Sequence, residues 1–137
     1  MFSIGEISRR SGVKVPTIRY YEQQGLIEAP DRSDGNQRRY EPAELQRLLF
    51  IRHARDLGMT IETIRELLEL SGQPDRPCDR ADIIAAENLR VVREKIARLR
   101  RLETELARIS SQCSGSSVRD CYVIQALGSH DMCADEH

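Results

Sequence analysis

The sequence predicts a mainly α-helical chain: a winged helix-turn-helix, then one long helix of coiled-coil character, then a short loop bounded by two cysteines. Three observations carry that expectation. Helix-starting and helix-ending residues punctuate residues 1–71 at short intervals. From Arg80 to Gln112 there is neither Gly nor Pro. The stretch CSGSSVRDC, from Cys113 to Cys121, holds two thiols and nothing that would build a core. Charged residues make up 31% of the chain and aromatics 4%, a mix too polar for a large buried core and suited to helices that expose much of their surface.

Ser3 followed by Glu6 is a capping-box pattern, and Ile4 and Ile7 begin an apolar face. Gly12 can end that first helix in a left-handed conformation. Pro16 suits the first turn of a second helix, PTIRYYEQQ, closed by Gly25. Two short helices about a tight turn read as a helix-turn-helix. In IEAPDRSDGNQRRYE the centre, DRSDGN, is turn chemistry flanked by short extended runs, so a hairpin wing is expected. Pro42 opens a third helix through about Leu57, with Leu45, Leu48 and Leu49 on one side and Gly58 as its stop. Thr60 caps a fourth, with Ile61, Ile64, Leu67 and Leu68 at helical spacing, which SGQPDRPC breaks.

In the long helix Leu89, Val92, Ile96, Leu99 and Leu106 step three, four or seven residues apart, an a/d seam. Glu103 falls on the seam and Leu102 and Ile109 flank it, so the stripe drifts toward its end. Nothing else in the chain is large enough to cover it. The expected cover is a second copy; the alternative is packing back on its own four-helix domain. After the loop, YVIQAL suits a short helix and GSHDMCADEH a polar tail. The organisation is thus residues 1–71 as winged helix-turn-helix, 72–79 as a linker with Cys78, 80–112 as dimerisation helix, 113–121 as loop, and 122–137 as short helix and tail.

Net charge is only −1, so a nucleic-acid partner must be argued from local asymmetry rather than from the total. No apolar run reaches the roughly 20 residues that span a bilayer, and MFSIGEISRR lacks a signal-peptide layout. The expected compartment is the cytoplasm, where thiols stay reduced and cysteines bind metal or sense redox state more often than they form structural disulfides.

Cys113 and Cys121 alone suit a linear site for a soft monovalent ion; with Cys78 they suit a trigonal or tetrahedral site for a divalent one. A helix of about 30 residues rises roughly 45 Å, so Cys78 cannot reach the loop of its own chain. If two helices pair antiparallel, Cys78 of one subunit meets Cys113 and Cys121 of the other. The bland alternative for Cys78 is an idle thiol. Cys133, with His130 and His137, is either an auxiliary ligand or an incidental tail residue, and His53 reads as a surface or packing residue.

The run TIRYYEQQGLI, Thr17 to Ile27, resembles the MerR family of bacterial transcription regulators, as do the wing ending in RRY and LQRLLFIRHARDLGMTIETIRELL after it. The resemblance covers nearly the whole chain. It implies a winged helix-turn-helix, an antiparallel dimerisation helix, a C-terminal effector loop, a palindromic promoter element and action on RNA polymerase through distorted DNA. It does not imply an enzyme, and no catalytic constellation is visible. The N-terminal residues of the second helix, Lys14, Pro16 and Thr17, would face the major groove. Arg19 and Tyr20 there, and Arg38, Arg39 and Tyr40 of the wing, would contact phosphates. For Arg38 and Arg39 the alternative is a solvated loop. One tyrosine of the pair Tyr20–Tyr21 should face the core, and the sequence leaves open which.

Relatives with a C-x7-C loop and Ser in place of Cys78 look like copper and gold sensors; the presence of Cys78 places this chain with the divalent sensors for zinc, cadmium, lead and mercury. Three thiolates without a nitrogen ligand favour cadmium or lead. Zinc would take water, Asp120 or a tail ligand as its fourth donor, and mercury is the remaining alternative. The rivals are a Cys113–Cys121 disulfide switch, a monovalent copper sensor and a metal-buffering protein. The iron–sulfur branch needs four clustered cysteines and the drug-binding branch a further domain, neither of which is present.

Overall fold

A computed structural model describes residues 1–30, 39–112 and 117–129. It contains six α-helices among those residues: α1 (Ile4–Ser11), α2 (Val15–Gln23), α3 (Pro42–Asp56), α4 (Ile61–Ser71), α5 (Asp79–Ser111) and α6 (Tyr122–Gly128). The mainly helical architecture expected from the sequence is what is found. The chain divides into two units, Met1–Ala85 and Ala86–His137.

In the first unit the helix ends lie where their chemistry put them. Ser3 Oγ accepts the Glu6 N–H at 3.2 Å and Thr60 Oγ1 accepts that of Thr63 at 3.2 Å. Helix α2 begins one residue before Pro16, at Val15, and its cap position is Lys14, which makes no side-chain cap. Gly12 ends α1 with φ 74°, a conformation that costs other residues energy. The Gly12 N–H returns to the Ser8 carbonyl at 2.9 Å.

The turn between α1 and α2 is braced by side chains whose role the sequence did not announce. Ser8 Oγ donates to the Val13 carbonyl at 2.7 Å, and the Val13 N–H donates to Ser11 Oγ at 3.1 Å, with Ser11 fully buried. Three guanidinium groups close carbonyls around the ends of the two helices. Arg52 Nη1 donates to Ser11 O at 2.9 Å, Arg65 Nη1 to Gln24 O at 2.6 Å, and Arg47 Nε to Leu26 O. Helix-end carbonyls lack intrahelical donors, and a charged donor meets that need more strongly than a neutral one. So α3 and α4 are fastened to α1 and α2 by hydrogen bonds as well as by apolar packing.

That packing is a core of Ile7, Ile18, Tyr21, Leu26, Tyr40, Leu48, Ile51, Ile64 and Leu68 with smaller neighbours. Ile18 and Tyr21 share a face of α2, so Tyr21 is the core tyrosine, and burial raises the pKa of its hydroxyl. The centre of the expected hairpin wing lies outside the described residues. Its base is described: Tyr40 pairs antiparallel with Phe2 through two backbone hydrogen bonds of 2.7 Å. The Arg10 guanidinium lies 4.8 Å from the Phe2 ring centre. Arg80 pairs with Glu66, tying the first turn of α5 to α4 and holding the Glu66 carboxyl below its usual range through that hydrogen bond.

Helix α5 runs unbroken for 33 residues. Its apolar residues differ in burial. Ile84 and Ile109 are buried within their own chain, whereas Leu89, Ile96, Leu99 and Leu106 are 42–63% exposed. In the second unit Arg108 joins α5 to α6: it pairs with the buried Glu105 and donates from Nη1 to the Tyr122 hydroxyl at 2.6 Å. Ala126 of α6 is buried, while Ile124 and Leu127 are not. Among the described residues no helix is long and apolar enough to cross a membrane.

Candidate metal centre and nucleic-acid interface

Helix α2 sorts its residues by face. Ile18 and Tyr21 turn into the core, and Lys14, Pro16, Arg19 and Tyr20 are exposed, with Thr17 half-buried. This leaves two cations, a hydroxyl and the helix start on one outer surface, the combination that meets phosphates and groove edges. Arg9 and Arg10, exposed on the last turn of α1, add charge that the sequence reading did not assign. Of the wing residues, Arg38 lies outside the described residues and Arg39 is half-buried.

Tyr40 is a correction. It was expected to reach a phosphate, but it is fully buried and its hydroxyl donates to Glu22 Oε1. A phenol enclosed by the core and paired with a carboxylate has neither the exposure nor the spare proton for a phosphate. Its place is structural: it fastens the wing base to α2. Its β-partner, Phe2, is 38 residues away in sequence, and no local pattern reports such a pairing.

Cys78 stands immediately before α5, and its carbonyl accepts the Asp82 N–H at 3.0 Å as the helix begins. Its thiol is exposed. It lines an apolar groove of about 350 Å³ with Phe50, Leu67, Leu70, Pro77 and Ala81. One helical turn on, the Asp82 carboxylate comes to 3.7 Å from Cys78 Sγ. Cys121 is half-buried at the cap position of α6. It is delivered there by a 3₁₀ turn, Val118–Asp120, in which Asp120 Oδ2 accepts from Ser117 Oγ at 3.3 Å. Gln125 Nε2 donates to the Arg119 carbonyl at 3.1 Å and braces the same turn. Cys113, His130, Cys133 and His137 lie outside the described residues. Among the described residues no three metal-ligating side chains converge within the chain.

Cys78 and Cys121 belong to different units of the chain, each a thiol of a kind that soft or borderline divalent ions take as ligand. Two family models match the chain, a MerR helix-turn-helix regulatory protein over residues 2–71 and a MerR DNA-binding segment over residues 45–109. The chain belongs to the MerR family. It is a DNA-binding transcription regulator rather than an enzyme, as the TIRYYEQQGLI run implied. The transcriptional regulator ZntR of Escherichia coli K12 is 39% identical over 130 residues, covering 93% of this chain and 92% of that one. A mercuric resistance operon regulatory protein of Shigella flexneri is 39% identical over 111 residues, 81% of this chain and 76% of that one. Among solved structures, the regulator PbrR691 of Ralstonia metallidurans CH34 in complex with lead(II) superposes with a TM-score of 0.77 at 38% identity, covering 93% of this MerR-family chain and 99% of that one.

Proposed function

We propose that this MerR-family regulator binds a palindromic promoter element as an antiparallel homodimer. In this reading it activates metal efflux or resistance genes when a divalent soft metal binds at Cys78 of one subunit and Cys113 and Cys121 of the other. The observation that carries the reading is the pairing of an exposed thiol at the start of α5 with an uncovered apolar seam along the same helix. The seam supports a second copy, since four large apolar side chains left in water would each forgo about 1.5–3 kcal/mol of burial. An antiparallel copy brings the start of one α5 to the end of the other, where the partner's loop is. The relatives named for mercuric resistance and solved with lead(II) support metal as the effector.

Bound there, a divalent ion supplies a bond between two chains that neither chain can make alone. The chain's own part is to present deprotonated thiols and to transmit their capture. Cys78 is joined to the DNA-binding unit through the α4–α5 contact of Glu66 with Arg80, so a pull at Cys78 is felt there. For the effector to shift the promoter's conformation, its affinity must differ between the two states of the dimer. Three thiolates favour cadmium or lead, with zinc and mercury as the alternatives. The cytoplasm and RNA polymerase at the promoter complete the reading.

The test is a titration of the reduced protein with cadmium, lead, mercury, zinc and monovalent copper beside a Cys78→Ser variant, followed by thiolate-to-metal absorbance. One tight divalent ion per subunit, lost in the variant, is the expected result. Equal divalent binding by the variant would leave the loop pair to act alone, as a monovalent site or a disulfide switch.

A further inference from the structure

We infer that Arg65 is a positioning residue for DNA sequence recognition: from α4 it holds the exit of α2 and so sets the angle at which that helix meets base edges. The inference rests on reading α2 as the helix that enters the groove, as the second helix of a helix-turn-helix does. Helix α2 closes much of its last turn with its own backbone. The Gly25 N–H returns to the Glu22 carbonyl at 3.1 Å and the Leu26 N–H to the Tyr21 carbonyl at 2.9 Å, with Gly25 at φ 73°. The Gln24 carbonyl stands at the cap position of that turn, and Arg65 Nη1 donates to it at 2.6 Å. The two residues are 41 apart in sequence, so this bond ties α2 to another element rather than completing its own helix. A charged donor makes it stronger than a neutral one would.

Arg65 is itself held in place. Ile64 and Leu68, on either side of it along α4, are buried in the core. Glu66, the next residue, takes both Nε and Nη2 of Arg80 in the first turn of α5. Helix α4 thus reaches α2 with one residue and α5 with the following one. The lever is short. Helix α2 has 9 residues and is about 13 Å long, so moving its exit by about 1 Å turns its axis by about 4°. Base readout depends on hydrogen-bond geometry, and spoiling one good contact lowers discrimination about ten-fold or more. The half-buried Arg65 guanidinium is engaged with a carbonyl, so its part in recognition is to aim α2, not to meet a phosphate.

The test uses the reduced full chain and a duplex selected by the parent from a randomised pool, with a scrambled duplex beside it. Fluorescence anisotropy at several salt concentrations gives discrimination, the ratio of the two affinities, and the salt slope. Arg65→Met keeps the aliphatic stem and removes the donors. Thr60→Ala is the stability control, since it removes the α4 cap without touching α2. A double variant, Lys14→Ala with Thr17→Ala, tests the α2 reading itself. Circular dichroism confirms equal helix content. Arg65→Met should lose about ten-fold in affinity for the selected duplex, with the scrambled duplex within two-fold and the salt slope unchanged. Thr60→Ala should discriminate as the parent does. Equal losses on both duplexes, with a salt slope reduced by about one, would make Arg65 a phosphate contact and overturn the inference. So would discrimination by Arg65→Met within two-fold of Thr60→Ala, which would leave Arg65 a brace of the fold alone. If the double variant loses discrimination and Arg65→Met does not, only Arg65 is wrong. If the double variant discriminates as the parent does, the α2 reading falls and Arg65 with it.

Discussion

The two units of this chain treat their apolar residues in opposite ways. In residues 1–85 Ile7, Ile18, Ile51 and Ile64 are entirely out of water. In residues 86–137 Leu89, Ile96, Leu99, Leu106 and Leu127 all keep 42% or more of their surface exposed. The first unit finishes its own core, with buried Ser11 and three arginines meeting the polar backbone of its turns. Among its described residues the second closes around Ile109, Ala126 and the Glu105–Arg108–Tyr122 cluster. The proposed dimer follows from that difference: the exposed seam of the second unit is where a second copy would lie.

The sharpest way to break that contrast is a charge on the seam. Leu99→Glu places two carboxylates, one from each chain, at the centre of the proposed dimer contact. Each lost leucine is worth about 1.5–3 kcal/mol when buried. The dimer dissociation constant should therefore rise by about a hundred-fold or more, read by sedimentation equilibrium. Helices α1–α4 should melt as before. A dimer unchanged by Leu99→Glu would mean that the exposed stripe is not the interface.

Within the first unit the strongest local effect is expected at Gly12. Its φ of 74° disfavours a side chain, and a Cβ there would lie 2.1 Å from Arg52 Nη1. Gly12→Ala should then cost about 1–3 kcal/mol from backbone strain together with a weakened Arg52–Ser11 bond, measured by urea unfolding. Gly58, at φ 87° with open space around it, should cost less when changed in the same way.

How much of this was legible in the sequence follows the range of the interactions. Ser3, Thr60, Gly12, Gly25 and Gly58 were readable because a cap or a left-handed residue acts within four positions of itself. Tyr21 could have been read too, since it stands three residues from Ile18 on one face of α2. The difference in burial along α5 was hidden because its buried positions, Ile84 and Ile109, use the same aliphatic residues as its exposed ones. Tyr40 was misread because its partners, Phe2 and Glu22, come from other elements. At the proposed metal site the cysteines were picked out by residue type alone.

Tyr40 and its neighbour Arg39 give the next test, because adjacent residues should fail in different assays. Tyr40→Phe removes the bond to Glu22 and should lower stability by about 1.5–3 kcal/mol, as expected for a hydrogen bond to a charged group. The salt dependence of promoter binding should not change. Arg39→Ala should act chiefly on DNA binding. It should reduce the slope of log affinity against log salt by about one for each subunit. It should also abolish the promoter response, which a metal-buffering protein would not show. Interchanged outcomes would return Tyr40 to the phosphate surface and make Arg39 the brace.

The smallest effect should come from Glu44, where the first unit leaves a charge imperfectly served. Its Oε2 is buried with no hydrogen-bond partner among the described residues. Burial raises its pKa against the opposing pull of Arg47; the Glu28 and Glu41 charges add to the rise, and a backbone hydrogen bond from Glu28 opposes it. A carboxyl whose pKa is higher folded than unfolded binds its proton more tightly in the folded chain. That stabilisation is fully present below the ordinary glutamate pKa and is lost as pH rises through the raised value. At neutral pH the carboxylate is therefore a small liability, and Glu44→Gln should raise the melting temperature slightly. The gain should shrink as the pH falls through the raised pKa and be gone below the ordinary one. A variant less stable than the parent at neutral pH would mean that the Glu44 charge is stabilising, through Arg47 or the start of α3, and that the first unit is better sealed than its buried oxygen suggests.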